Sequence, residues 1–355
     1  MQTAVIKRSR RQLSLLFGGA SAEHDVSVES FRFVLEEIRQ SALLSPVLIG
    51  YMDDRSGVRL NPFHKNFSLE DYMVRGDSLH VFDALRHLGS ASAPIFNLLI
   101  GRFGEDGKLQ GAARLAGLEG SFGDVLPNAL AMSKIHMNTF VEGCRLDLSI
   151  PRSCPLHFQA SENALLKLRD RLETDDVIIK PNSSGSSILT ERVNLSTLTE
   201  GRLASILQEI FFHDMTALAQ EFVSGREFTV GCFASGGQII PLPVVEIRTR
   251  GGFFSNEDKY LPGAAEENFL DDGDPVANQL RSLSVELFER MGMLKACRFD
   301  YILKNDNVFF LEANTIPGMT VNSIFPKMIR RSGRSIAEYI FASLSDSNKS
   351  VNLSE

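Results

Sequence analysis

Two apolar stretches near the C-terminus, Cys297 to Leu303 and Val308 to Ala313, flank the turn Lys304-Asn-Asp-Asn307. That pattern commits the region to a β-hairpin. Side chains alternate faces along a strand, so Arg298, Asp300 and Ile302 share one side, as do Glu312 and Asn314. Pairing around the turn brings one arginine, two carboxylates and one carboxamide together. The other positions (Phe299, Tyr301, Phe309, Phe310, Leu311) are apolar, and charges on such a strand need partners or a purpose. A carboxylate pair with an Asn oxygen suits Mg²⁺, a hard cation that takes oxygen ligands and keeps waters or phosphate oxygens. A solvated strand face with a surface salt bridge is the plainer alternative.

The rest of the chain sets limits on what surrounds this hairpin. Its 355 residues are enough for two or three domains. With 43% hydrophobic and 23% charged residues, it is neither disordered, collagenous nor coiled coil. A net charge of −7 disfavours nucleic acid as a partner. Apolar runs such as Ala42 to Leu44 and Leu98 to Ile100 are too short to span a bilayer, so no membrane partner is expected. Lys7, Arg8, Arg10 and Arg11 precede the apolar run Leu13 to Phe17, but that run is too short for a signal peptide and stops at Gly18-Gly19. Cys144, Cys154, Cys232 and Cys297 show neither CxxC pairing nor a metal pattern. The expectation is a soluble cytoplasmic protein with reduced thiols.

Alternating strands and helices open the chain. Leu13 to Phe17 reads as a strand, then Val28, Phe31, Leu35 and Ile38 fall at helical spacing, with Asp25 and Ser27 as candidate caps. Strands follow at Pro46 to Tyr51 and Ile95 to Ile100, the second running into Gly101-Arg-Phe-Gly-Glu-Asp-Gly107. This pattern predicts an open parallel sheet that binds ligand outside its carboxyl ends. One helix is expected over Asn128 to Leu146, then a connection over Pro151 to Pro155. A strand at Val177 to Lys180 meets the loop Pro181-Asn-Ser-Ser-Gly-Ser-Ser187, and a helix follows around Leu203 to Phe212. Strand patterns at Ala217 to Val223, Phe228 to Phe233 and Ile239 to Ile247 read as antiparallel ribbons in a separate layer. The polar tail Ser345 to Glu355 is expected to fray.

Two further motifs bear on chemistry. Lys180 and its Ser/Gly loop could cradle phosphate oxygens with backbone N–H groups and a point charge, although a plain turn is the simpler reading. The loop is not a Walker A motif, because the Lys precedes the glycine. Gly18-Gly-Ala-Ser-Ala-Glu-His24 puts Glu23 at the start of a helix, where a capping carboxylate is the simpler reading.

Taken in order, the motifs resemble those of the D-alanine–D-alanine ligase family of the ATP-grasp superfamily. The resemblance rests on Leu16 to Ser27, Gly104-Glu-Asp-Gly-Lys-Leu-Gln-Gly111, Ala131-Met-Ser-Lys134 and Ile179 to Ser187. It continues through Gly225-Arg-Glu-Phe-Thr-Val230, Asp258-Lys-Tyr260, Arg298-Phe-Asp300, Leu311 to Thr320 and Ser323-Ile-Phe-Pro326. It implies a three-domain α/β fold: an N-terminal open parallel sheet over 1–123, and central (124–221) and C-terminal (222–355) α+β domains that grip ATP. It implies that Lys134 and Lys180 hold the ATP phosphates, that Glu227 binds the ribose, and that Ser187, Gln220, Glu221 and Val223 line the nucleotide site. Asp300, Glu312 and Asn314 match the ligands of two Mg²⁺ ions, with Mn²⁺ able to substitute. Glu23, Ser186 and Tyr260 match a trio around the first D-alanine. Lys259 lies beside Tyr260 on a mobile loop, Phe253 to Gly263. Arg298 and the Gly318 N–H match the oxyanion stabilisers, and Ser323 and Ile324 match the site of the second D-alanine carboxylate. The resemblance also implies a homodimer.

Five positions depart from the family pattern. Ser133 stands for a usual Asp, Asn138 for a common second Lys, Ile100 for a frequent His, Gln220 for a frequent Glu and Leu189 for a usual Gly. None removes a metal ligand. The expected activity is ATP-dependent joining of two D-alanines through an acyl phosphate, for peptidoglycan precursors. A related amino-acid ligase with another substrate is the alternative, and a catalytically dead nucleotide-binding relative is a third.

Overall fold

The computed structural model describes residues 10–158, 163–185, 188–249 and 265–345. Ser186, Ser187, Lys259, Tyr260, the Phe253 to Gly263 loop and all but the first residue of the polar tail lie outside the described residues. No described helix is long and apolar enough to cross a membrane.

The N-terminal part is built on β1 (Arg11–Gly18), α1 (His24–Gln40), β2 (Leu44–Met52), β3 (Val58–Pro62), α2 (Leu69–Val74), β4 (Ser78–Leu79), α3 (Val81–Ser90), β5 (Ile95–Asn97) and α4 (Lys108–Leu115). Its strand order is β4-β3-β2-β1-β5. The β2–β1–β5 centre is parallel, as the alternating pattern predicts, whereas β3 and β4 add on antiparallel. The turn Asp53 to Gly57 makes β2 and β3 a hairpin: the Asp53 carboxylate accepts from the N–H groups of Arg55 and Gly57. Asp25 and Ser27 do not cap α1. The helix already starts at His24 with Glu23 as N-cap, and Ser27 instead joins loops by accepting from Gly18 N–H and donating to Leu98 O. β5 stops at Asn97, short of Ile100, because the Asn97 side chain accepts from Leu99 N–H and turns the chain.

Next come α5 (Val125–Met132) and α6 (Lys134–Cys144), where one helix was expected. Ser133 is extended (φ −95°, ψ 104°) because the following turn is drawn onto Asn182: Lys134 N–H donates to its carbonyl and Ile135 N–H to its side chain. Both helices pack on the C-terminal core, with Ala131, Met137 and Val141 beside Phe228 and Phe299.

The central sheet contains β6 (Ser153–His157), β7 (Asp176–Pro181), β8 (Glu191–Asn194) and β9 (Thr216–Glu221), ordered β6-β9-β7-β8 and entirely antiparallel. α7 (Ala164–Leu172) and α8 (Glu200–His213) cover it through Leu168, Leu172, Leu203 and Ile206. The expected connection over Pro151 to Pro155 contains the start of β6, an edge strand where proline is tolerated. Leu189 sits at φ +54°, in the left-handed region where glycine is the easy residue, and packs against this core.

The third sheet runs β13-β12-β10-β14-β15, with β11 on β10. Its strands are β10 (Arg226–Ser235), β11 (Gln238–Pro241), β12 (Val245–Thr249), β13 (Ala265–Phe269), β14 (Ala296–Lys304) and β15 (Asn307–Asn314), backed by α9 (Pro275–Arg290). The expected single strand Ile239 to Ile247 is two strands, broken at Pro241-Leu-Pro243, where proline removes ladder donors. The β14–β15 hairpin turns through Asn305 (φ 49°) and Asp306 (φ 66°), both left-handed as a tight hairpin requires. α10 (Ile324–Arg331) and α11 (Ile336–Ser345) close the chain. Tyr339 of α11 sets its ring against Phe96, Phe233 and Phe325, so the first and last parts share one core.

Candidate active site

A cleft of about 1040 Å³ opens where the three sheets meet, and every described candidate residue lines it. The hairpin supplies its acidic floor. Register pairs Arg298 with Asn314 and Asp300 with Glu312, and a bulge follows immediately, between Asp300 and Tyr301. The predicted convergence is therefore real, and the bulge leaves Leu311 as an extra residue facing the cleft. Asp300 is buried and fully engaged: it accepts from Thr229 Oγ1 at 2.6 Å, from Arg298 Nε and Nη2 at 3.0 and 2.9 Å, and from Asn314 Nδ2 at 3.2 Å. Burial disfavours the Arg298 charge, but Asp300 and Glu312 outweigh it and hold its pKa above the ordinary value.

Two lysines face this floor. Lys134, first residue of α6, donates to Ser184 O at 2.8 Å and lies 3.4 Å from Glu312 Oε2. Lys180, on β7, donates to Gln220 Oε1 at 2.9 Å. Burial first, and the Lys134 charge second, lower the Lys180 pKa to about 8, against the pull of Glu312. Glu227 reaches the cleft from β10, and Val223 from the segment between β9 and β10. The Glu221 carboxylate turns to Arg152, accepting from its backbone N–H at 2.8 Å and Nε at 3.2 Å.

The N-terminal part contributes Glu23, nearly buried at the head of α1. Its carboxylate lies against Gly101 and Gly185: a Cβ on either would come within 2.6 and 2.8 Å of a carboxylate oxygen. Gly318 also lines the cleft, close to Val26 of α1. Ser323 heads α10 and exchanges hydrogen bonds with Thr320, while Ile324 opens that helix.

One residue that the sequence reading left without a role ties these parts together. Glu105 is buried, and its Oε1 accepts from Thr315 N–H at 3.1 Å, Thr315 Oγ1 at 3.3 Å and Ile316 N–H at 2.8 Å. Its Oε2 accepts from Gly101 N–H at 2.7 Å. Burial, then the nearby Glu23 charge, push its pKa up to about 7 despite those donors. The only signal in the sequence was its place in Gly104-Glu-Asp-Gly107; its partners Thr315 and Ile316 lie about two hundred residues away.

Among the described residues no group of three or more His, Cys, Asp or Glu could hold a metal. Asp300 and Glu312 supply two carboxylates and Asn314 an amide oxygen, an all-oxygen set that fits a Mg²⁺ ion retaining water or phosphate ligands.

Residues 12–121 match the family profile described as D-ala D-ala ligase N-terminus, and residues 157–344 match the D-ala D-ala ligase C-terminus. The chain belongs to the D-alanine–D-alanine ligase family. It is 32% identical over 338 residues to a D-alanine--D-alanine ligase from Bordetella petrii, covering 94% of this chain and 91% of the relative. It is 30% identical to the one from Leptospira biflexa, covering 92% and 95%. The fold agrees with solved family structures. A D-alanine-D-alanine ligase from Coxiella burnetii superposes with a TM-score of 0.73 at 22% identity, covering 95% of each chain. A D-Ala:D-Ser ligase from Enterococcus faecalis gives 0.72 at 23%, covering 94% and 98%. The architecture, three sheets with flanking helices, is the α/β fold of these ligases.

Proposed function

We propose that this chain is an ATP-dependent, ADP-forming ligase that joins two D-alanines to D-alanyl-D-alanine for peptidoglycan precursor synthesis. One observation carries the reading: Arg298, Asp300, Glu312 and Asn314 stand in the same cleft as Lys134, Lys180 and Glu23. That set suits activation of a carboxylate beside a triphosphate. Lys134 and Lys180 are the cations for the phosphates, which would otherwise repel the substrate carboxylate. Asp300, Glu312 and Asn314 would hold Mg²⁺ (two ions, or Mn²⁺), which when bound neutralises phosphate charge. Glu23 would bind the ammonium of the first D-alanine. The γ-phosphoryl passes to that amino acid's carboxylate, giving an acyl phosphate and ADP. The amine of the second D-alanine, its carboxylate placed by Ser323 and Ile324, attacks the acyl carbon. Arg298 and Gly318 N–H are the donors for the oxyanion formed there, and phosphate then leaves. Glu227 is assigned to the ribose; Ser187, Gln220, Glu221 and Val223 to the nucleotide; Ser186, Lys259 and Tyr260 to closing the site against water. The division near residues 123 and 221, a homodimer and a cytoplasmic location complete the proposal.

The test is phosphate release from ATP and Mg²⁺ with D-alanine, run beside L-alanine, D-serine, D-lactate and an amino-acid pool, with products read by mass. D-Alanine alone should give phosphate and a dipeptide. Release only with the pool would replace D-alanine with another amino acid, a reading that apolar Ile100 on the cleft wall favours. Silence with every substrate would refute ligation.

A further inference from the structure

Beyond Lys180 the cleft wall turns apolar, with Met132, Ile178, Phe222, Ile302 and Leu311 lining it. Such walls suit a flat heteroaromatic ring. The Gln220 side chain stands among them. Gln220 lies opposite Ile178 in the β7–β9 ladder and is 3% exposed. Lys180 is two residues from Ile178 and projects from the same face, so its ammonium reaches the Gln220 amide.

That contact fixes which way the amide points. A protonated lysine has donors and no acceptor, so the Gln220 oxygen must face it. The amide nitrogen then points away, buried, with no hydrogen-bond partner among the described residues. A buried donor without an acceptor is unfavourable until a ligand supplies one. The purine edge nearest such a group differs between bases. Adenine presents a 6-amino donor beside the N7 acceptor, whereas a 6-oxopurine presents two acceptors, O6 and N7.

We propose that Gln220 is a base-specificity residue whose free amide nitrogen donates to the purine edge, so that the pocket accepts 6-oxopurine triphosphates alongside ATP. A carboxylate here would accept from the 6-amino group and repel a 6-oxygen. The carboxamide, its oxygen held by Lys180, offers only donors. This inference rests on the reading of the cleft as a nucleoside triphosphate site.

Calorimetric titration of ATP and of inosine triphosphate, with Mg²⁺ and without amino acid, tests it in the wild type and in Gln220→Glu. The wild type should bind inosine triphosphate within about tenfold of ATP, and Gln220→Glu should widen that ratio by about fivefold or more, as expected for one opposed hydrogen bond. Whatever faces ring N1 is the same in both proteins and cancels in the change of ratio. A wild-type preference for ATP beyond tenfold overturns the proposal, as does a ratio that Gln220→Glu widens by less than fivefold. The wild-type comparison stands even if the variant does not fold. If neither nucleotide binds, the nucleotide reading falls as well. If both bind as expected but D-alanine elicits no phosphate release, the base pocket stands and only the ligase reading falls.

Discussion

Glu105 offers the sharpest test of how the site is held together. In Glu105→Gln the amide oxygen can keep the contacts to Thr315 and Ile316, but the amide nitrogen then faces Gly101 N–H, donor against donor. One buried N–H is orphaned, at a cost of about 1–3 kcal/mol. A second effect follows from the proton. Burial and the Glu23 charge raise the Glu105 pKa from 4.5 to about 7. Between those values the native protein keeps a proton that the unfolded chain has released, so stability falls as pH rises through the window. At about 1.4 kcal/mol per unit, the fall is about 3 kcal/mol at most. Glutamine cannot titrate, so this slope should vanish in the variant. Urea unfolding of both proteins at intervals from pH 5 to pH 8 measures it: the stability gap should be widest at pH 5 and narrow toward pH 8. Turnover should fall through kcat, because the Thr315–Ile316 segment leads to Gly318, and a displacement of about 1 Å can cost about 10²-fold. Parallel pH slopes in wild type and variant would refute the assignment of the proton to Glu105.

Other perturbations follow from the same geometry. Glu312→Gln should abolish turnover, by about 10²-fold or more, while far-UV circular dichroism stays unchanged; an active variant would sink the metal assignment. With a free pKa of about 8, Lys180 should take up roughly half a proton when triphosphate binds at pH 8. Titration in two buffers of different ionisation enthalpy would show that uptake, and affinity should weaken as pH rises further. Gly104→Ala would drive a Cβ into the Leu99 carbonyl. A loss of about 3 kcal/mol or more is expected by thermal or urea unfolding, and no loss would mean that the backbone shifts freely there.

What the sequence revealed was local, and what it hid was not. The last hairpin was legible because its turn residues and alternation lie within one short segment, and the convergence of Arg298, Asp300, Glu312 and Asn314 followed from strand geometry. The bulge beside Asp300 left no mark in the residues. The break at Ser133 was hidden because its cause, Asn182, is 49 positions away. β6 was obscured by its own proline, acceptable only because the strand lies at a sheet edge. Glu105 looked like one more loop carboxylate, because its role exists only once two distant loops meet. Periodicity could not say which lysine or which glutamate serves the site; those assignments are expectations carried by position-by-position family likeness.

The Asn182 contacts that break the helix at Ser133 have a further consequence. They clamp the start of α6 to the end of β7, so the segments bearing Lys134 and Lys180 are joined through the main chain. The backbone positions from which the two ammonium groups extend are thus set by the scaffold before any anion arrives. Burial first, and the Lys134 charge second, lower the Lys180 pKa, and both penalties are overcome when the chain folds. An incoming polyanion meets both lysines already in position and completes the protonation of Lys180 as it binds. Loosening that clamp would let the two cations drift apart in the empty protein, and each binding event would then have to gather them again.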